Sequence, residues 1–174
     1  LEKTLGYVFK NSNRLHQALT HISITKTHAE SNERLEFLGD RVLGLIVANM
    51  LCERFKEEEE GDLAYRFAAL VKRETLAGIA RQIQLGQYIE LSAGERETGG
   101  AEKDSVLANT CEALIAALYL DGGFAAANNF VRDYWTSLIE KDPKPPKDPK
   151  TRLQEWAQAV GISLPKYLIT NRKG

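Results

Sequence analysis

The sequence is short of the residues that cross-link a fold or anchor it elsewhere. Only two cysteines occur in 174 residues. Cys52 and Cys111 stand alone, without a CxxC or a Cys/His cluster, which argues against structural zinc and a disulfide framework. Both are expected to be reduced and buried. No run of about 18 or more uncharged apolar residues occurs, so no membrane span is expected. The N-terminus lacks the charged-then-apolar layout of a secretory signal, and a cytoplasmic location is the resulting expectation. The chain opens on Leu1 rather than Met, as a piece of something longer would.

A surplus of positive charge is also missing where it would matter. The net charge of −1 conceals a division: residues 1–141 carry 16 Lys and Arg against 21 Asp and Glu, whereas residues 142–174 carry 7 against 3. An acidic body is by itself a poor binder of polyanions, because phosphate affinity comes chiefly from cationic side chains that displace counterions. If nucleic acid is the partner, other cations must assist.

Proline is scarce until residue 143, and four of the five prolines then fall in the stretch Asp142 to Pro149. Such a stretch favours an extended, semi-rigid spacer. It divides the chain into a main body, 1–141, a linker, 142–149, and a short unit, 150–174. In the main body apolar residues recur at helical spacing and strand-like alternation is almost absent, so the fold class expected is all-α. Helices are expected over 14–22, 33–55, 62–84 with a break, 105–121 and 124–140. Gly94 to Gly100, with three glycines, reads as a mobile surface loop. After the spacer, Asp148 can cap a helix that starts at Pro149 and carries Leu153, Trp156 and Val160. A strand is then expected over Tyr167–Thr170. One helix and one strand cannot bury a core alone, so this unit is incomplete as given.

Chemistry concentrates in two apolar helices. From Phe37 to Leu51 only Asp40, Arg41 and Asn49 have polar side chains, the pattern of a buried helix. At 100° per residue Glu33, Glu36 and Asp40 form one stripe leading into it. No cation stands three or four residues from Asp40, so its charge needs a partner from outside the helix. In Val106–Leu118 the polar residues are Asn109, Thr110 and Glu112, and Asn109 and Glu112 share a face. Converging the two pairs gives Glu36, Asp40, Asn109 and Glu112, an all-oxygen set that suits Mg²⁺ or Mn²⁺ rather than zinc. The alternative is that each acid pairs with a cation from another helix, Arg34, Arg41, Lys72 and Arg73 being candidates. Gly39 and Gly44 inside the first helix each cost about 1 kcal/mol relative to alanine. Close approach of a backbone or ligand, or plain tight helix packing, would compensate.

The string Asn32-Glu33-Arg34-Leu35-Glu36-Phe37-Leu38-Gly39-Asp40-Arg41-Val42-Leu43 resembles the signature of bacterial ribonuclease III. Leu5 to Phe9, Ala18 to His21, Glu60 to Leu63 and Glu112 to Asp121 are similar to further family segments, so the likeness extends over 1–141. Asp148 to Glu155 is similar to the opening of the family's α+β double-stranded RNA-binding domain, truncated here. The resemblance implies a helical endonuclease domain that forms a homodimer around duplex RNA. It identifies Glu36, Asp40, Asn109 and Glu112 with the family's metal ligands and Glu33 and Glu60 with further acidic positions near the scissile bond. Phe37 matches a dimer-interface aromatic, against ordinary core packing as the alternative.

What the resemblance implies for function is Mg²⁺-dependent hydrolysis of double-stranded RNA, with Mn²⁺ able to substitute, as in rRNA and mRNA processing. The ends left are 5′-phosphate and 3′-hydroxyl. The bound ion activates a water and offsets developing negative charge. One position departs from the pattern: Asn109 stands where the family usually has aspartate, and an amide supplies a neutral oxygen. A catalytically weakened or silent duplex-binding dimer is therefore one alternative. A purely structural helical domain with every acid ion-paired is the other.

Overall fold

The computed structural model describes residues 1–141, 149–163 and 165. Its elements are α1 (Glu2–Leu5), α2 (Ser12–Leu19), α3 (Glu33–Arg54), α4 (Glu60–Leu70), α5 (Arg73–Gln82), α6 (Ala93–Glu97), α7 (Asp104–Lys141) and α8 (Pro149–Ala159), with 3-10 turns at Ile22–Ile24, Leu85–Tyr88 and Gly100–Glu102. Among the described residues the only β feature is an isolated parallel bridge between Thr20 and Glu90. The main body is thus all-α.

The two apolar helices singled out in the sequence form the central pair, with α2 and α5 packed against α7 and α4 against α3. Leu43, Ile46 and Val47 of α3 and Ala113 to Leu118 of α7 are almost entirely removed from water. Each large apolar side chain so buried stabilises the fold by about 1.5–3 kcal/mol. Glu33 and Glu36 in the first turn of α3 complement its N-terminal dipole. α7 is two helices joined at Gly123, whose φ of 73° and ψ of −174° break the helical ladder. L side chains rarely adopt that φ, and the expected boundary between 121 and 124 falls there. Beyond it Trp135 is fully buried and its indole N–H donates to the Leu70 carbonyl at 3.0 Å.

Several expectations shift for physical reasons. α2 ends at Leu19 because Thr20 and His21 turn extended to meet Glu90. The stretch 62–84 divides at Val71–Lys72 into α4 and α5. The glycine-rich segment is not an unstructured loop: Ser92 caps α6 by accepting the Glu95 N–H at 3.3 Å, and Lys103 reaches back to Glu95 at 2.7 Å. Cys111 is buried as expected, but Cys52 is exposed, since it follows the buried Leu51 around the α3 wheel. α7 is the one helix, among the described residues, long and apolar enough by length and composition to cross a membrane. Its apolar side chains instead make the centre of the core.

In the C-terminal unit α8 starts at Pro149 as expected. Leu153, Trp156 and Val160 are exposed. The cap Asp148, the spacer 142–148 and the expected strand Tyr167–Thr170 lie outside the described residues.

Candidate active site

The site is held together by a close approach of α3 to α7. A Cβ placed on Gly39 would stand 1.8 Å from the backbone oxygen of Glu112, so only glycine lets α3 and α7 meet there. Tight packing, the simpler of the two explanations for this glycine, is correct, and the backbone it admits is that of a candidate site residue. Gly44 is a weaker case, since its added carbon would meet only the edge of the Phe67 ring at 3.4 Å. The Gly39 contact places Glu36 and Asp40, on α3, opposite Asn109 and Glu112, on α7. Asn32, buried at the start of α3, adds a cross-tie by donating to Thr110 Oγ1 at 3.4 Å.

Glu36, Asp40, Asn109 and Glu112 line one cavity of about 560 Å³, together with His21, Asn32, Glu33, Phe37, Arg41 and Ser105. All four residues chosen from helix spacing therefore share a single open site. Glu112 is half-buried and its carboxyl is pushed up to about 7, first by burial and then by the charges of Asp40 and Glu36. Glu36 is also raised, chiefly by burial and by Glu33, and the Asn109 amide offsets part of this by hydrogen bonding to it. Glu33 lies at the rim and is held below the ordinary carboxylate range by its hydrogen bond with His28. The two raised carboxyls report burial together with an excess of negative charge over what the cavity's own cations neutralise, whereas Glu33 is satisfied locally by His28.

Asp40 corrects one expectation. It has a partner within its own helix, because Arg41 folds back and Nη1 donates to Asp40 Oδ2 at 2.9 Å and to the Phe37 carbonyl at 3.0 Å. Helical neighbours one apart do not ordinarily face each other, but the long arginine reaches round and stacks 3.9 Å over the Phe37 ring. With Asp40 so turned, no three acid, histidine or cysteine side chains among the described residues already stand close enough to grip a metal. The donor chemistry nevertheless fits a hard divalent cation: the set is all oxygen, and among the described residues half-buried Glu112 has no salt-bridge partner within 4.0 Å.

Phe37 is 64% exposed, which excludes core packing within this chain. Glu60 opens α4 and is not among the residues lining the cavity. Two lining residues, His21 and Ser105, were not singled out as functional from the sequence. His21 sits in a segment, Ala18 to His21, that resembles the family, whereas nothing about Ser105 distinguishes it before folding.

An all-helical domain built on two acid-bearing core helices can be placed by comparison. The Ribonuclease-III-like family model matches residues 11–138. Ribonuclease 3 of Caulobacter vibrioides (strain NA1000 / CB15N) is 47% identical over 177 residues, covering all of this chain and 77% of that protein. Ribonuclease 3 of Ruegeria pomeroyi is 46% identical over 173 residues, covering 99% of this chain and 77% of that protein. A crystal structure of the nuclease domain of ribonuclease III from Campylobacter jejuni is 44% identical, with a TM-score of 0.72, and covers 84% of this chain and 95% of that one. Dicer from Pichia stipitis shares the fold, with a TM-score of 0.60 at 22% identity over 94% of this chain and 75% of that one. The chain belongs to the ribonuclease III-like family.

Proposed function

We propose that this protein is a Mg²⁺-dependent endoribonuclease that cuts double-stranded RNA as a homodimer, leaving 5′-phosphate and 3′-hydroxyl ends, and that it serves rRNA and mRNA processing in the cytoplasm. Glu112 carries the reading. A half-buried carboxylate facing two other acids is costly unless a cation completes the site, and family membership supplies the chemistry such a cation would serve. Glu36, Asp40 and Glu112 would hold the ion through charged oxygens and Asn109 through its amide oxygen; Mn²⁺ would fit the same donors. When bound, the ion supplies Lewis acidity toward a phosphodiester and an attacking water.

The protein's own part is placement. Gly39 sets the spacing between the donor pairs, and the Asn109 amide beside Glu36 favours its charged form. Asp40 must leave Arg41 to join the set, which frees a guanidinium at the cavity mouth where phosphate would lie. Glu33 stands at the rim in a hydrogen bond with His28, while the assignment of Glu60 rests on the resemblance alone. Phe37 and Leu45, 64% and 61% exposed on α3, form an apolar face that a second copy would cover. The Campylobacter jejuni nuclease domain is described as having a region involved in dimer formation. Residues 142–149 would serve as the linker and 150–174 as the start of an α+β double-stranded RNA-binding domain. Recognition would follow A-form shape through phosphate and 2′-hydroxyl contacts.

Labelled duplex RNA incubated with and without Mg²⁺ tests the proposal. Cutting of duplex but not single strands, abolished by chelation, is the expected result. Duplex binding without metal-dependent cutting would favour the silent reading, for which Asn109 is the motivating observation. Absence of both duplex affinity and any metal effect on Tm would leave a purely structural domain.

A further inference from the structure

We propose that the Nε2–H of His21 is a substrate-positioning donor, taking a non-bridging phosphate oxygen of the RNA backbone at the rim of the acid-lined cavity. The proposal rests on the nuclease reading above and names one of its phosphate contacts. An acidic cavity that must admit a phosphate needs donors aimed at that phosphate, and most donors lining this one are engaged elsewhere. Arg41 is held by the Phe37 carbonyl and by Asp40, and comes free only when Asp40 turns to the ion, and the Asn32 amide is spent on Thr110.

His21 is different. Its Nδ1 accepts the backbone N–H of Ser23 at 3.2 Å, so in the neutral ring the proton resides on Nε2. Among the described residues that nitrogen makes no hydrogen bond, and the side chain lines the cavity. The backbone beneath the ring is pinned from several sides. Glu90 N–H donates to the Leu19 carbonyl at 2.9 Å, His21 N–H to the Glu90 carbonyl at 3.1 Å, and Asn32 N–H to the Thr20 carbonyl at 2.9 Å. Ser92 N–H reaches Ser23 Oγ at 3.0 Å. Donors held in advance and aimed at developing or fixed negative charge are the kind that bind phosphate with little reorganisation. A purely structural explanation exists, namely that His21 caps the Ile22–Ile24 turn. Asparagine would cap that turn equally well and would not reach the cavity from the same ring edge.

That difference provides the test. His21→Asn keeps an acceptor for the Ser23 N–H but lacks a donor at the Nε2 position, whereas His21→Gln keeps a donor at about that reach. Single-turnover cleavage of duplex RNA would be measured at saturating Mg²⁺ over a range of RNA or enzyme concentrations, together with Tm and its shift on adding Mn²⁺. The expected result for His21→Asn is a half-saturating concentration raised about tenfold, the loss of one hydrogen bond to a charged acceptor. Its maximal rate, Tm and Mn²⁺ shift should stay near wild type, and His21→Gln should recover most of the affinity. An unchanged half-saturating concentration in His21→Asn, a loss confined to the maximal rate, or no recovery in His21→Gln would overturn the proposal while leaving the nuclease reading intact. A wild-type protein that neither binds nor cuts duplex RNA overturns both.

Discussion

Two half-buried glutamates in this protein meet opposite fates. Glu58 is clasped by the buried Arg66, with Nε and Nη2 donating at 2.7 and 2.6 Å, and Arg66 stacks 3.7 Å over Phe55. That pairing lowers the Glu58 carboxyl. Glu112 is raised, first by burial and then by its neighbours Asp40 and Glu36. The first arrangement is what a fold does with an acid it needs only for stability, since removing water from a charge is tolerable when a hydrogen-bonded partner replaces it. The second leaves the deficit open, and the proposed cation site rests on that difference from an ordinary ion pair.

Breaking each arrangement should give opposite signs. The largest effect is expected at Glu112: Glu112→Gln should lower metal-dependent cleavage by roughly 10³-fold or more and abolish the Tm rise on adding Mn²⁺. Its metal-free stability should stay equal or rise. A variant that loses stability in urea denaturation would mean that Glu112 is structurally paired after all. Next comes Gly39→Ala, where the backbone overlap should cost about 3 kcal/mol and reduce cleavage through displacement of Glu112; near-normal unfolding midpoints would contradict the contact. Arg66→Met should likewise destabilise by about 3 kcal/mol by orphaning Glu58, yet leave the metal response of the surviving folded fraction intact.

Asn109→Asp sharpens the comparison by deepening the charge deficit. It should tighten Mg²⁺ binding about tenfold and raise cleavage, while lowering metal-free Tm because a fourth acid replaces the amide that now donates to Glu36. Weaker binding by calorimetry, or equal or lower activity in a metal titration, would count against it.

The smallest effect is in pH. Glu112 holds its proton up to about 7 in the folded chain, against an ordinary 4.5, so between these values the folded state binds more protons than the unfolded one. Metal-free stability should therefore fall as pH rises from about 4.5 to 7 and level off above, by on the order of 1 kcal/mol after allowance for solvent screening. Subtracting the Glu112→Gln profile isolates this contribution. Saturating Mg²⁺ should flatten it, and a difference profile that rises with pH would refute the assignment.

Much of the site could be read along the chain because helical periodicity is local. Glu33, Glu36 and Asp40 had to share a stripe, and Asn109 and Glu112 a face, once those segments were helices; their apolar surroundings required burial. The match between expected and observed α3 and the two halves of α7 has the same origin. Contacts between elements were less accessible. The arginine that folds back onto Asp40 violates the usual spacing rule. The Thr20–Glu90 bridge that shortens α2 joins residues 70 positions apart, and the cap that orders the glycine-rich segment is reinforced by Lys103 from beyond it.

The sequence alone determined the class of helix and which polar side chains share a face within α3 and within α7, since these follow from residue identity and a 3.6-residue period. Tertiary structure decided which acids remain without a counterion and which histidine reaches the same cavity. Both depend on the distance between chain segments far apart in sequence: one glycine pressed against the backbone of Glu112 sets it for the acids, and the backbone bonds of Glu90 and Asn32 to the 19–21 segment set it for His21.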